Sequence, residues 1–143
     1  VIHNGIIENF HTLRTELEGA GVQLESETDT EVVAHLMAHT LPEVGNSLPL
    51  AMQAVCSRLQ GAFTLVVVDR DQPDVVVGAR RNSPLVVGLG TDGHFLASAV
   101  SAFVAHTRHA LELGQAQIVV IKADSVVVTD FDGTLFEAKP FYL

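Results

Sequence analysis

The sequence predicts an α+β fold in which antiparallel sheets pack between helical layers. Three observations carry this expectation. Extended helical periodicity lies before Gly61, and most of the chain after it has the texture of short strands. Runs such as Val66-Val67-Val68 and Ile118-Val119-Val120-Ile121 do not alternate, so these strands are expected to be covered on both faces. Helices first and strands later is the order of segregated layers rather than of βαβ crossovers.

Taken in order, Ile6, Phe10, Leu13 and Leu17 share one helical face, and Gly19 and Gly21 stop that helix. Thr28 or Asp29 can cap a second helix, with Glu31 in its first turn and Val32, Val33, Leu36 and Met37 on its apolar face. Pro42 and Gly45 break it. Ser47 caps a third helix, whose inner face is Leu48, Met52, Val55 and Leu59 and whose end is Gly61. Strands are then predicted at Phe63–Asp69, Val75–Ala79, Leu85–Leu89 and His94–Ser98, the last two joined at Asp92-Gly93. A short helix is expected near Ser101–Ala105. Strands follow at His109–Leu113, Gln117–Ile121 and Val126–Thr129. No internal repeat, low-complexity tract or linker interrupts the chain.

The 143 residues amount to one domain or a piece of one, and 48% hydrophobic residues supply material for a core. Eight basic against seventeen acidic residues give a net charge of -9. That balance argues against nucleic acid or an anionic membrane as partner, because phosphate binding needs a basic patch. The single cysteine, Cys56, excludes a disulfide framework and a multi-cysteine zinc site, which suits a reducing, cytoplasmic compartment. No apolar run approaches the ~20 residues that span a bilayer, and no secretory signal is evident.

Several clusters could carry chemistry. Asn4-Gly5 is a strong turn dipeptide, but an Asn carboxamide beside a Gly N–H is also a suitable donor pair for an oxyanion. Asp29 can cap a helix or hold the ammonium of an amino-acid substrate, and the two roles are compatible. Cys56 lies mid-helix beside Val55 and reads as a structural thiol. Glu31, His35 and His39 share a helical face, which suits a metal site formally but a solvated polar face more simply, so no metal is assigned. Asp130-Phe131-Asp132-Gly133-Thr134 resembles the first motif of haloacid-dehalogenase-type phosphatases. Too little chain follows it to build that site, and Asp132-Gly133 makes a good hairpin turn.

Two segments are more specific. Val1-Ile2-His3-Asn4-Gly5-Ile6-Ile7-Glu8-Asn9 and Ser26-Glu27-Thr28-Asp29-Thr30 together resemble the class II glutamine amidotransferases, in particular the glutaminase domains of glucosamine-6-phosphate synthases, also called glutamine–fructose-6-phosphate aminotransferases (isomerizing). Ile6-Ile7-Glu8-Asn9 favours that branch over the amidophosphoribosyltransferases. Two later stretches support the same family. Arg80-Arg81-Asn82-Ser83-Pro84-Leu85 is similar to a structural turn before an apolar strand. Phe95-Leu96-Ala97-Ser98 matches a signature that usually continues with Asp, where this chain has Ala99.

The resemblance implies an N-terminal-nucleophile hydrolase fold, a four-layer αββα sandwich of antiparallel sheets, here N-terminally truncated. Residues 1–143 would then be a single partial glutaminase domain, with the isomerase domain absent. It also implies a catalytic pair, Asn4 and Gly5, holding the oxyanion, with Gly5 and Asp29 contacting glutamine, and no cofactor. The family's nucleophile is an N-terminal Cys, which this chain does not carry. Ammonia would pass to an isomerase domain acting on fructose 6-phosphate, in a parent expected to be a homo-oligomer. Alone, these residues are expected to be inactive. The alternative is a non-catalytic fragment or binding module that keeps the scaffold. Truncation would also leave Val66–Val68, Val75–Val77 and Ile118–Ile121 with open edges.

Overall fold

The computed structural model describes residues 1–143. Three helices lie in the first part of the chain: α1 (Phe10–Gly19), α2 (Asp29–Thr40) and α3 (Leu48–Cys56). The strands are β1 (Ile2–Gly5), β2 (Phe63–Asp69), β3 (Gln72–Arg81), β4 (Val86–Leu89), β5 (His94–Ala97), β6 (His109–Glu112), β7 (Gln117–Lys122), β8 (Ser125–Asp130), β9 (Leu135–Phe136) and β10 (Phe141–Tyr142). They form a six-stranded sheet in the order β1-β2-β3-β7-β8-β9 and a four-stranded sheet in the order β10-β6-β4-β5. Every pairing is antiparallel. No helix is long and apolar enough to cross a membrane.

The caps fall where the side chains predict them. Thr28 accepts the Glu31 N–H, and Ser47 accepts the Leu50 N–H. Asp29 is therefore the first residue of α2 rather than its cap, and its carboxylate is free for other partners. The helices cover one face of the six-stranded sheet. Leu17, Val33, Leu36, Met52 and Val55 pack there against Phe63, Leu65, Val77 and Ile118. A second core lies between the sheets, where Val87, Leu111 and Leu113 meet Val119, Ile121 and Val128. Consecutive residues such as Ile118 and Val119 thus enter different cores, which is why the strands read as unbroken apolar runs.

Helix, sheet and sheet are three full layers. The far side of the four-stranded sheet carries only a 3₁₀ turn at Val100–Ala102 and the ring of Phe103. That ring lies so close to Gly88 that a Cβ there would meet it at 2.7 Å. The short helix expected at Ser101–Ala105 is this turn.

Other departures have local causes. Ile6 is 67% exposed and Ile7 is fully buried, because both precede α1, which starts only at Phe10 after a turn at Glu8 and Asn9. Leu59 is buried as predicted, but in the turn after α3 ends at Cys56. β3 starts at Gln72, ahead of Val75, through a bulged pairing with β2 in which Asp69 faces Gln72. The strands expected to have open edges are interior: β2, β3 and β7 each have a partner on both sides. Exposed apolar side chains sit on edge strands, at Ile2, Leu135 and Tyr142, but also on interior ones: Val68 of β2 is 62% exposed, and Val127 of β8 is exposed as well.

Candidate functional site

The His3-Asn4-Gly5 segment is β1, the edge strand of the larger sheet, paired residue for residue with Phe63–Leu65 of β2. The pairing outlasts the strand. Ile6 N–H donates to Ala62 O, and Glu8 N–H donates to Gln60 O. The Asn9 side chain then imitates a backbone unit, donating to Arg58 O and accepting the Gln60 N–H. In an antiparallel ladder the N–H groups alternate in direction. Those of Ile6 and Glu8 point to β2, so those of Gly5 and Ile7 point to the open edge. Gly5 has φ +106, and a Cβ there would lie 2.2 Å from Ala62 O, so only glycine fits this close approach.

Asp29 docks on that same open edge. Its Oδ2 accepts the Ile7 N–H at 3.0 Å, and its Oδ1 lies 3.5 Å from His3 Nδ1. The His3 side chain is almost fully buried, with Nδ1 3.1 Å from Thr30 Oγ1 and Nε2 without a protein partner. The structure therefore brings Asp29 and Gly5 to one strand edge. Asn4 points to another side, across the mouth between the two sheets. Its carboxamide donates to Ser98 Oγ at 3.2 Å. No hydrogen bond joins Asn4 to Asp29.

Glu31 holds the loop before α2. It accepts the Glu25 N–H at 2.8 Å and the Ser26 N–H at 2.6 Å, together with the Ser26 hydroxyl at 2.5 Å, and His35 Nε2 lies 3.1 Å away. These bonds, the Ser26 hydroxyl first, pull its carboxyl down to about 2. His39 turns to the His35 carbonyl. The helical face is thus a clasp for the Glu25–Thr28 loop that precedes Asp29. A carboxylate whose pKa is lowered by folding stabilises the fold fully above about 4.5, and the gain fades as pH falls through about 2. Glu31→Gln should accordingly lower the melting temperature at pH 7, with the gap to wild type closing between pH 4.5 and 2.

The remaining motifs are structural. Arg81 donates to Leu59 O and Gly61 O and lies over the Phe63 ring at 5.0 Å, holding the turn that carries Gln60 and Ala62. Arg80 donates to Leu113 O. Asp130–Thr134 is the β8–β9 hairpin turn: Asp130 N–H donates to Thr134 O, and Asp132 Oδ1 accepts the Thr134 N–H. Cys56 is fully buried on α3, and burial pushes its thiol up to about 12 against the pull of Arg81. It is expected to resist iodoacetamide in the native protein and to react only in denaturant, as mass spectrometry would register.

Reasoning from sequence missed His3 and Ser98. His3 carries a signal of a kind, since a residue next to Asn4 on a strand must face the opposite side. Its partner Thr30, and Ser98 as partner of Asn4, lie 27 and 94 residues away and leave no local mark.

Comparison with known proteins agrees with this architecture. A glutamine amidotransferase domain family matches residues 1–105. The chain is 59% identical over 143 residues to the glutamine–fructose-6-phosphate aminotransferase (isomerizing) of Streptomyces coelicolor, covering 100% of this chain and 23% of that protein. It is 59% identical over 141 residues to the same enzyme of Leifsonia xyli, covering 99% of this chain and 23% of that protein. It thus spans under a quarter of the length of these relatives. Among solved structures, the glutamine phosphoribosylpyrophosphate amidotransferase of B. subtilis, complexed with ADP and GMP, superposes with a TM-score of 0.77 at 25% identity, over 94% of this chain and 29% of that one. The two-sheet architecture is thus that of the N-terminal-nucleophile glutamine amidotransferases, and the chain belongs to the glutamine amidotransferase domain family.

Proposed function

We propose that residues 1–143 are the glutamine-holding part of a glutaminase domain in a longer glutamine–fructose-6-phosphate aminotransferase. The observation that carries this reading is the open edge of β1. There the unpaired N–H of Gly5 and the carboxylate of Asp29, docked at Ile7, lie two residues apart along the strand, about 7 Å. That spacing suits an extended glutamine, whose α-ammonium meets Asp29 while its side-chain carbonyl reaches Gly5. Asn4 supplies the second donor from the neighbouring face.

In this reading a terminal Cys outside these residues adds to the amide carbon of glutamine. The carbonyl oxygen takes up the negative charge, and the Asn4 carboxamide and the Gly5 N–H hold it. The thiol's proton, taken up by that cysteine's own α-amine, passes to the leaving nitrogen as the C–N bond breaks and ammonia departs, and water then hydrolyses the thioester to glutamate and restores the thiol. Cys56 does not serve as nucleophile, being buried and held protonated. Ammonia passes to a sugar-phosphate isomerase domain that converts fructose 6-phosphate to glucosamine 6-phosphate. The enzyme works in the cytoplasm as a homo-oligomer, without nucleic acid or a membrane as partner.

The test is an assay of the full-length protein. Glutamate should be released from glutamine, and glucosamine 6-phosphate should form when fructose 6-phosphate is added. A full-length protein that folds, binds glutamine and releases no glutamate would instead support a scaffold that has lost its chemistry.

A further inference from the structure

We propose that Ser98 is a positioning residue that aims the Asn4 carboxamide, an inference that rests on the reading of Asn4 as an oxyanion donor. Asn4 is exposed on an edge strand, and its side chain has one hydrogen-bond partner, the Ser98 hydroxyl. A carboxamide NH2 has two hydrogens. The bond to Ser98 occupies one and leaves the other for a ligand.

Ser98 is itself held by a closed circuit. Thr64 is the cross-strand neighbour of Asn4 and points to the same face. It is buried, and its hydroxyl donates to Pro84 O at 3.0 Å. Pro84 leads into β4, where Val86 pairs with Ala97, and Ser98 follows Ala97. Asn4 is thus tied through Thr64, Pro84, Val86 and Ala97 to the hydroxyl that orients it. Ala97 and Ala99 flank Ser98, so its hydroxyl is the only polar side-chain group this segment offers. Preorganisation is what makes an oxyanion donor effective, since a donor fixed beforehand needs no rearrangement as charge develops.

The experiment measures glutaminase kcat and KM in the full-length protein for Ser98→Ala, Ser98→Thr, Asn4→Ala and the Asn4→Ala/Ser98→Ala double variant, with melting temperatures for each. Ser98→Ala should lower kcat about five- to tenfold, the worth of one hydrogen bond, with KM and melting temperature unchanged. Ser98→Thr should restore kcat, and Ser98→Ala should cost nothing further once Asn4 is gone. Wild-type kcat in Ser98→Ala alongside an impaired Asn4→Ala would overturn the role of Ser98 and leave the reading of Asn4 intact. An equal loss from Ser98→Ala with and without Asn4 would also overturn it. Wild-type kcat in Asn4→Ala would remove the oxyanion reading and this inference together.

Discussion

Asn4→Ala in the full-length protein is expected to lower kcat for glutamine hydrolysis by about 10²–10³-fold with little change in KM. The carboxamide meets an oxygen that becomes charged only as the tetrahedral intermediate forms, so its loss is felt in the transition state and hardly in the bound substrate. The fold should survive. Asn4 is exposed, its side chain makes a single hydrogen bond, and the backbone pairing with Thr64 does not depend on it. Steady-state kinetics together with a thermal melt check both halves. A variant with raised KM and normal kcat would make Asn4 a ground-state contact.

Asp29→Asn should show the opposite pattern, with KM for glutamine rising about tenfold to a hundredfold, the range for a charge-assisted hydrogen bond, and kcat changing less. The contact to the α-ammonium is made in ground and transition states alike. Asparagine keeps an oxygen to accept the Ile7 N–H, and the helix cap is Thr28, so melting temperature should stay near wild type. Asp29→Ala should raise KM as well and also lower stability, because Ile7 N–H would then lose its acceptor. Unchanged KM in both variants would leave Asp29 as a strut between β1 and α2.

The helices were legible because their caps and apolar faces are written locally, as at Thr28 with Val33 and Leu36 or Ser47 with Met52 and Val55. The central strands were legible as apolar runs. β1 was not, because its His, Asn and Gly have no strand preference of their own; its extended shape comes from pairing with β2 some sixty residues on. β9 and β10, two residues each, are likewise defined by their partners. The site followed the same division. Asn4, Gly5 and Asp29 stand out through the strings that contain them. Their arrangement does not, because it depends on β1 being an edge strand and on the start of α2 docking against that edge. The clasp of Glu31 on Ser26 was half visible, as a Glu three residues after a capping Thr. Its reach back to Glu25 and Ser26 changes a metal-like spacing into a loop anchor.

Whether glutamine lies along the open edge of β1 is decided by a crystal structure of the full-length protein with glutamate bound. The ligand's α-ammonium is expected within hydrogen-bond distance of the Asp29 carboxylate, and its side-chain carboxylate at the Gly5 N–H and the Asn4 carboxamide. A glutamate bound elsewhere, with Asp29 still engaged only by Ile7 and His3, would contradict this placement.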